Sequence, residues 1–167
     1  GIGMSALAMH LASEGNQVNG SNYEENERVD YLRSKGVSVF IGHSYENLES
    51  PDIVVRTTAI KQGNPELVKA ISKSIPTIYR MELLKSLLSR NTSLCVTGTD
   101  GKTTTTAMVS KILVDSGRDP TVFLGGINPL LNDGNYRKGN GITVTELDES
   151  DGFFASFKPD YAIITNV

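Results

Sequence analysis

Between the apolar run Leu94-Cys95-Val96 and a stretch from about Lys102 to Val114 stands Gly98-Thr99-Asp100-Gly101-Lys102-Thr103-Thr104. Met108, Val109, Ile112 and Leu113 recur in that stretch at helical spacing. Strand, glycine loop and helix in succession restrict the fold to a mainly parallel α/β sheet. In such a sheet the loop leaves the carboxyl end of a strand and opens a helix. The free N–H groups and the dipole of that helix start converge on one point, where an anion is held.

The loop keeps the Gly-Lys-Thr ending of a Walker A motif but has two residues, not four, between its glycines. Gly101 permits close backbone approach, Lys102 reaches the β- and γ-phosphates, and the Thr103 hydroxyl ligates Mg²⁺. Gly98, Thr99, Asp100 and Thr104 complete the expected ATP cradle. A plain glycine turn beside an exposed lysine is the alternative. It leaves unexplained why Thr103 to Thr106, four β-branched residues and mediocre helix formers, occupy a helix start.

The rest of the chain alternates in the same way. Met4, Leu7, Ala8 and Leu11 predict a helix ending near Gly15, followed by a short strand from Val18. Val29 and Leu32 predict a second helix stopping at Gly36, and Val37 to Ile41 a strand. Ile53-Val54-Val55 reads as a buried strand ending in Arg56-Thr57-Thr58, and Pro65 fits the first turn of a helix running through Ile71. An amphipathic stretch from Met81 to Leu88 leads to the polar break Ser89-Arg90-Asn91-Thr92, which places a domain boundary there, with domains at 1–90 and 91–167. Strands follow at Leu94–Val96, Thr121–Leu124, Ile142–Thr145 and Tyr161–Thr165, with a loop or hairpin at Asn132 to Gly141. Ligand contacts are therefore expected at strand ends: Gly20–Asn22, Thr57–Ala59, Gly98–Thr103 and Glu146–Ser150.

Glu146-Leu147-Asp148-Glu149-Ser150-Asp151 carries four carboxylates in six residues, costly unless they are solvated or neutralised. A solvated acidic loop is the plain reading of such a run by itself. Beside a phosphate loop the same oxygens suit Mg²⁺, which takes one or two carboxylates with phosphate and water. Gly1-Ile2-Gly3-Met4 matches the tail of a dinucleotide-type glycine fingerprint at a helix start, with Asn22 about 20 residues on where such folds carry an acid for the ribose. Nucleotide binding fits this better than ordinary NAD recognition. His10 and His43 have no partner in sequence and are read as packing or surface residues. Cys95, the only cysteine, is read as a buried thiol.

A net charge of −3 and a pI near 5.4 argue against a nucleic-acid tracking surface. No apolar stretch approaches the ~20 residues of a bilayer span and no basic-then-apolar leader is present, so the cytoplasm is the expected location. The chain opens on glycine at a helix start and stops just after a strand, so both ends are expected to lie within a longer protein.

Taken in order, these segments resemble the Mur ligases. The family opens with Gly-Ile-Gly-Gly-Ile-Gly-Met-Ser, matched in part by Gly1-Ile2-Gly3-Met4-Ser5; its Gly-Thr-x-Gly-Lys-Thr-Thr matches Gly98 to Thr104 and its Asp-Glu-Ser-Asp matches Asp148 to Asp151. Asn64-Pro65-Glu66 and Thr165-Asn166 also fit. The resemblance implies a Rossmann-like UDP-binding domain, then the first part of a P-loop ATPase-type domain, with a third domain absent from this chain, so that this piece alone is expected to be inactive. It implies ATP-dependent joining of L-alanine to UDP-N-acetylmuramate through an acyl phosphate. Lys102 would stabilise the transferring phosphoryl group, Thr103 would hold the nucleotide-linked Mg²⁺, and Glu149 would hold a second metal. Gly3, Met4, Ser21, Asn22, Thr57, Thr58 and Ala59 would cradle the UDP moiety. A sister ligase that attaches a recycled tripeptide shares these motifs, and a non-catalytic nucleotide-binding module is the alternative outside the enzymes. Asp100 departs from the histidine usual in the alanine-adding members; a carboxylate facing phosphate is expected to turn away, cap the helix or join the metal shell.

Overall fold

Asparagine side chains start two of the helices. Asn26 Oδ1 accepts the N–H groups of Arg28 and Val29, and Asn64 Oδ1 accepts those of Glu66 and Leu67, with Pro65 in the first turn where its missing donor costs nothing. The computed structural model describes residues 1–131, 134–148 and 153–167. Its helices are α1 (Ile2–Ser13), α2 (Glu27–Ser34), α3 (Pro65–Ser72), α4 (Arg80–Leu88) and α5 (Lys102–Asp115). Its strands are β1 (Asn19–Asn22), β2 (Ser38–Ile41), β3 (Val54–Arg56), β4 (Thr77–Tyr79), β5 (Ser93–Thr97), β6 (Thr121–Asn128), β7 (Gly134–Arg137), β8 (Thr143–Glu146) and β9 (Tyr161–Ile164). None of these helices is long and apolar enough to cross a membrane.

The first half holds two parallel two-stranded sheets, β1-β2 and β3-β4. The second holds one five-stranded sheet in the order β7-β6-β8-β5-β9, parallel except for β7. The α/β class with mainly parallel sheets is thus as the sequence indicates. The carboxyl ends of β5, β6, β8 and β9 share one edge, and the glycine loop leaves β5 there. Strand β6 runs four residues beyond the expected Leu124, because its register slips between Phe123 and Asn128 and lets Gly125 and Gly126 continue the strand through an irregular turn of backbone. Of the segment read as a loop or hairpin, residues 134–137 form β7, which pairs antiparallel with β6, and Asn132 and Asp133 lie outside the described residues.

The largest core cluster joins the two halves. Ala6 and Leu7 of α1 and Met81, Leu84, Leu87 and Leu88 of α4 pack with Cys95, Phe123 and Leu147. Burial pushes the Cys95 thiol up to about 12, which keeps it a small inert hydrophobe.

Helix α5 presents an unexpected face. Its buried residues are Thr106, Ala107 and Ser110, whereas Met108 and Ile112 are exposed. Thr106 donates to the Lys102 carbonyl and Ser110 to the Thr106 carbonyl, so both hydroxyls are satisfied one turn back and enter the interior without an orphaned donor. The run Thr103–Thr106 therefore divides: Thr103 faces the loop, while Thr106 serves packing.

Candidate functional site

The glycine loop turns on two residues with positive φ, Gly98 at +129° and Gly101 at +78°, a region that L side chains rarely enter. Gly101 is the N-cap of α5 and receives no side-chain cap, so Asp100 does not cap the helix, one of the three roles open to it. Its side chain lies in an exposed residue while its backbone is held by Asn166. Lys102 Nζ lies 2.6 Å from the Gly98 carbonyl and 3.0 Å from that of Thr99, which keeps the ammonium at the loop's mouth. Thr104 is exposed.

Across the loop, Thr103 Oγ1 donates to Glu146 Oε2 at 2.8 Å, and the second oxygen of Glu146 accepts the Gly125 N–H at close range. A Cβ on Gly125 would lie 2.7 Å from that oxygen, so glycine is what lets strand β6 come so near. Hydroxyl and carboxylate oxygens side by side are the hard donors Mg²⁺ prefers, and a site with one protein carboxylate is within its habit of keeping phosphate and water ligands. Among the described residues no cluster of three or more metal-ligating side chains exists. Glu149, the carboxylate the sequence reading selected, lies outside the described residues; Glu146 is the one that meets the loop.

Two cavities adjoin at the start of α1. One, of about 450 Å³, is lined by Gly3, Met4, Arg56, Thr57, Thr58 and Ala59 among others; the second, of about 340 Å³, reaches Lys102, Thr103, Gly125 and Glu146. Ile2, Gly3, Arg80 and Met81 line both. Arg80 Nη1 lies 2.1 Å from where a Cβ on Gly3 would stand, so the bare glycine admits a guanidinium against the helix start. Sequence reasoning missed Arg80. Its signal was a cation in the first turn of α4, where the helix dipole disfavours positive charge and an anion would offset it. Arg56 was missed as a side chain too: it stands 4.4 Å over the Tyr79 ring and donates to the Tyr79 hydroxyl.

Ser21 and Asn22 line neither cavity. Ser21 Oγ donates to Glu66 Oε2 at 2.6 Å and meets His43 Nδ1 at 2.9 Å, while Asn47 Nδ2 donates to the other Glu66 oxygen at 2.8 Å. His43, read as a packing or surface residue without a partner in sequence, finds partners in the fold: the end of β1, the residues after β2 and the start of α3 bring serine, histidine and glutamate together from sequence positions 21, 43 and 66. Asn22 Nδ2 donates to the Glu24 carbonyl and shapes the turn after β1. His10 behaves as read, packing edge-on to Phe123 and bonding the Tyr136 hydroxyl.

A family model for the Mur ligase catalytic domain matches residues 1–92, and one for the Mur ligase middle domain matches residues 96–167. The chain belongs to the Mur ligase family. The UDP-N-acetylmuramate--L-alanine ligase of Thermotoga maritima is 52% identical over 99% of this chain, which spans 37% of that protein. The crystal structure of the UDP-N-acetylmuramate-alanine ligase from Thermotoga maritima superposes with a TM-score of 0.96 at 52% identity, over 99% of this chain and 39% of that one. A Neisseria ligase named for UDP-N-acetylmuramate and the L-alanyl-gamma-D-glutamyl-meso-diaminopimelate peptide has the same fold, with a TM-score of 0.91 at 24% identity over 99% of this chain and 57% of that one. This Mur ligase chain therefore spans well under half the length of the curated relative it matches.

Proposed function

We propose that this chain supplies the UDP-binding and phosphate-binding parts of an ATP-dependent ligase that joins L-alanine to UDP-N-acetylmuramate, with residues 1–90 holding the UDP-sugar and 91–167 beginning the ATP-binding domain. The observation that carries this is the shared wall of the two cavities. A nucleotide-sugar whose diphosphate rests on the start of α1, beside Gly3, Met4, Arg80 and Thr57–Ala59, would extend its sugar carboxylate toward Lys102, Thr103 and Glu146. Ser21 and Asn22, at the end of β1, would meet the nucleoside end, with Ser21 oriented by Glu66. The 52% identity to a relative named as an alanine ligase favours L-alanine over a peptide as the second substrate.

The chemistry needs charge stabilisation above all. A carboxylate oxygen attacks the γ-phosphorus and ADP leaves; the amine nitrogen then attacks the acyl carbon, phosphate departs, and the nitrogen gives up a proton. Lys102 neutralises charge on the moving phosphoryl group, and Gly98–Thr104 orient the phosphates through backbone N–H groups. Mg²⁺ held beside Thr103 and Glu146 would supply further neutralisation of the β- and γ-phosphates. Glu149 follows on the same segment and is the remaining candidate for a second metal.

The complete protein, given Mg·ATP, UDP-N-acetylmuramate and L-alanine, should release phosphate only when all are present, and Lys102→Ala should slow release by about 10²–10³-fold. Release that needs a tripeptide instead of L-alanine would assign the sister reaction. ATP binding without turnover under every combination would leave a nucleotide-binding module.

A further inference from the structure

The chain leaving β9 crosses the mouth of β5 and grips the glycine loop. Thr165 N–H donates to the Thr97 carbonyl at 2.9 Å, continuing the β5-β9 ladder by one step. The Thr165 hydroxyl lies 2.6 Å from the Asp100 carbonyl and 3.1 Å from that of Thr97. Asn166 then reads the Asp100 backbone from both sides: its Oδ1 accepts the Asp100 N–H at 3.0 Å, and its Nδ2 donates to the Asp100 carbonyl at 3.0 Å. Where a Cβ would stand on Gly98, Thr165 Oγ1 is 2.3 Å away and the Asn166 backbone 2.8 Å, so the tail rests directly on the loop's first glycine.

The contacts to Thr97 anchor the tail at the last residue of β5, and those to Gly98 and Asp100 fall on the segment bounded by the two positive-φ glycines, between the end of β5 and the start of α5. A loop whose work is to aim N–H groups at phosphate gains affinity when its shape is set before the ligand arrives, since no ordering cost is then charged to binding.

We propose that Thr165 and Asn166 are positioning residues for ATP, acting through the backbone of Asp100 and Gly98 without touching the nucleotide. The inference rests on the reading of Gly98–Thr104 as the ATP phosphate loop. It also accounts for the tolerance of a carboxylate at position 100: the backbone is clamped, so the side chain is free to remain exposed.

The test uses the complete protein, with calorimetric binding of the non-hydrolysable analogue Mg·AMPPNP and, separately, of UDP-N-acetylmuramate. Asn166→Ala and Thr165→Val should each weaken AMPPNP binding about 10-fold, as loss of one or two hydrogen bonds implies, while Thr165→Ser, which keeps the hydroxyl, stays within about 2-fold of wild type. UDP-N-acetylmuramate binding and the melting temperature should hold. Unchanged AMPPNP affinity in both variants, equal losses in Thr165→Val and Thr165→Ser, or parallel loss of UDP-sugar binding would overturn the positioning role. A wild-type protein that binds UDP-N-acetylmuramate but not AMPPNP would overturn the phosphate-loop reading itself, and the positioning role with it.

Discussion

Thr103 Oγ1 and Glu146 Oε2 stand 2.8 Å apart, tying the first turn of α5 to the end of β8. With its other oxygen on the Gly125 N–H, Glu146 is held by two partners, and a carboxylate so held still has accepting capacity to spare. Glu146→Gln keeps an acceptor for one of them but removes the charge. Apparent Mg²⁺ affinity should fall about 10–100-fold, read from the metal dependence of phosphate release, with little change in melting temperature. An unaltered Mg²⁺ titration would remove Glu146 from the metal site.

Asp100 sits in the glycine loop as an exposed residue whose backbone, and among the described residues not its carboxylate, is engaged. Its charge should repel ATP modestly and in a salt-dependent way. Asp100→Asn is expected to lower the KM for ATP about 2–5-fold at low ionic strength, with the difference shrinking as salt is added. A raised KM would show instead that the carboxylate helps hold the metal.

Asn135 is fully buried, donating to the Ile2 carbonyl at 2.6 Å, with Ser5 Oγ at 3.2 Å, and its Oδ1 has no partner among the described residues. It fastens the start of α1 to β7, so its loss should be felt in both halves at once. Asn135→Ala should cost about 1–3 kcal/mol in denaturant unfolding. A change within error would mean that water or a neighbouring shift takes over its bonds.

His10 lies half-buried against Phe123 and Tyr136, and burial holds it below its ordinary value of 6.5, with Lys138 and Arg90 acting in the same direction and Glu14 opposing. The unfolded chain then binds a proton more readily than the folded one. Stability is full above 6.5 and declines as the pH falls from there toward the lowered folded value. His10→Gln should flatten the drop in melting temperature between about pH 7 and pH 5. Asp119 and Asp160, kept low chiefly by backbone hydrogen bonds, act mainly below their ordinary 3.8, and Glu14 and Glu46, held low by Lys138 and Ser44, below 4.5. The Gly1 amine, lowered by burial from 8.0, adds to the wild-type slope, so the difference between variant and wild type is what reports His10. A wild-type slope unchanged by the substitution would contradict the assignment.

Much of this architecture was legible because its signals are local. Glycines, a proline and asparagines mark where helices begin and end, and the Gly-Lys-Thr ending fixes the loop from seven consecutive residues. What escaped depends on contacts between distant segments. Choosing among Glu146, Asp148, Glu149 and Asp151 needs to know which residue ends β8 facing Thr103, and alternation along a strand cannot supply that. Arg80 enters the site only because Gly3 is bare, and His43 finds Glu66 only once β2 and α3 pack. The apolar stripe on α5 misled, since hydroxyls bonded one turn back are as easily buried as methyl groups.

The central claim is that a carboxylate carried by a nucleotide-sugar meets the γ-phosphate where the two cavities adjoin. Its most direct test is to supply the complete protein with UDP-N-acetylmuramate labelled with ¹⁸O in both carboxylate oxygens, together with Mg·ATP and L-alanine, and to weigh the released phosphate. An acyl phosphate transfers the bridging oxygen, so each phosphate should carry one ¹⁸O. Unlabelled phosphate would mean that water, not the sugar carboxylate, takes the phosphoryl group, and would contradict the account.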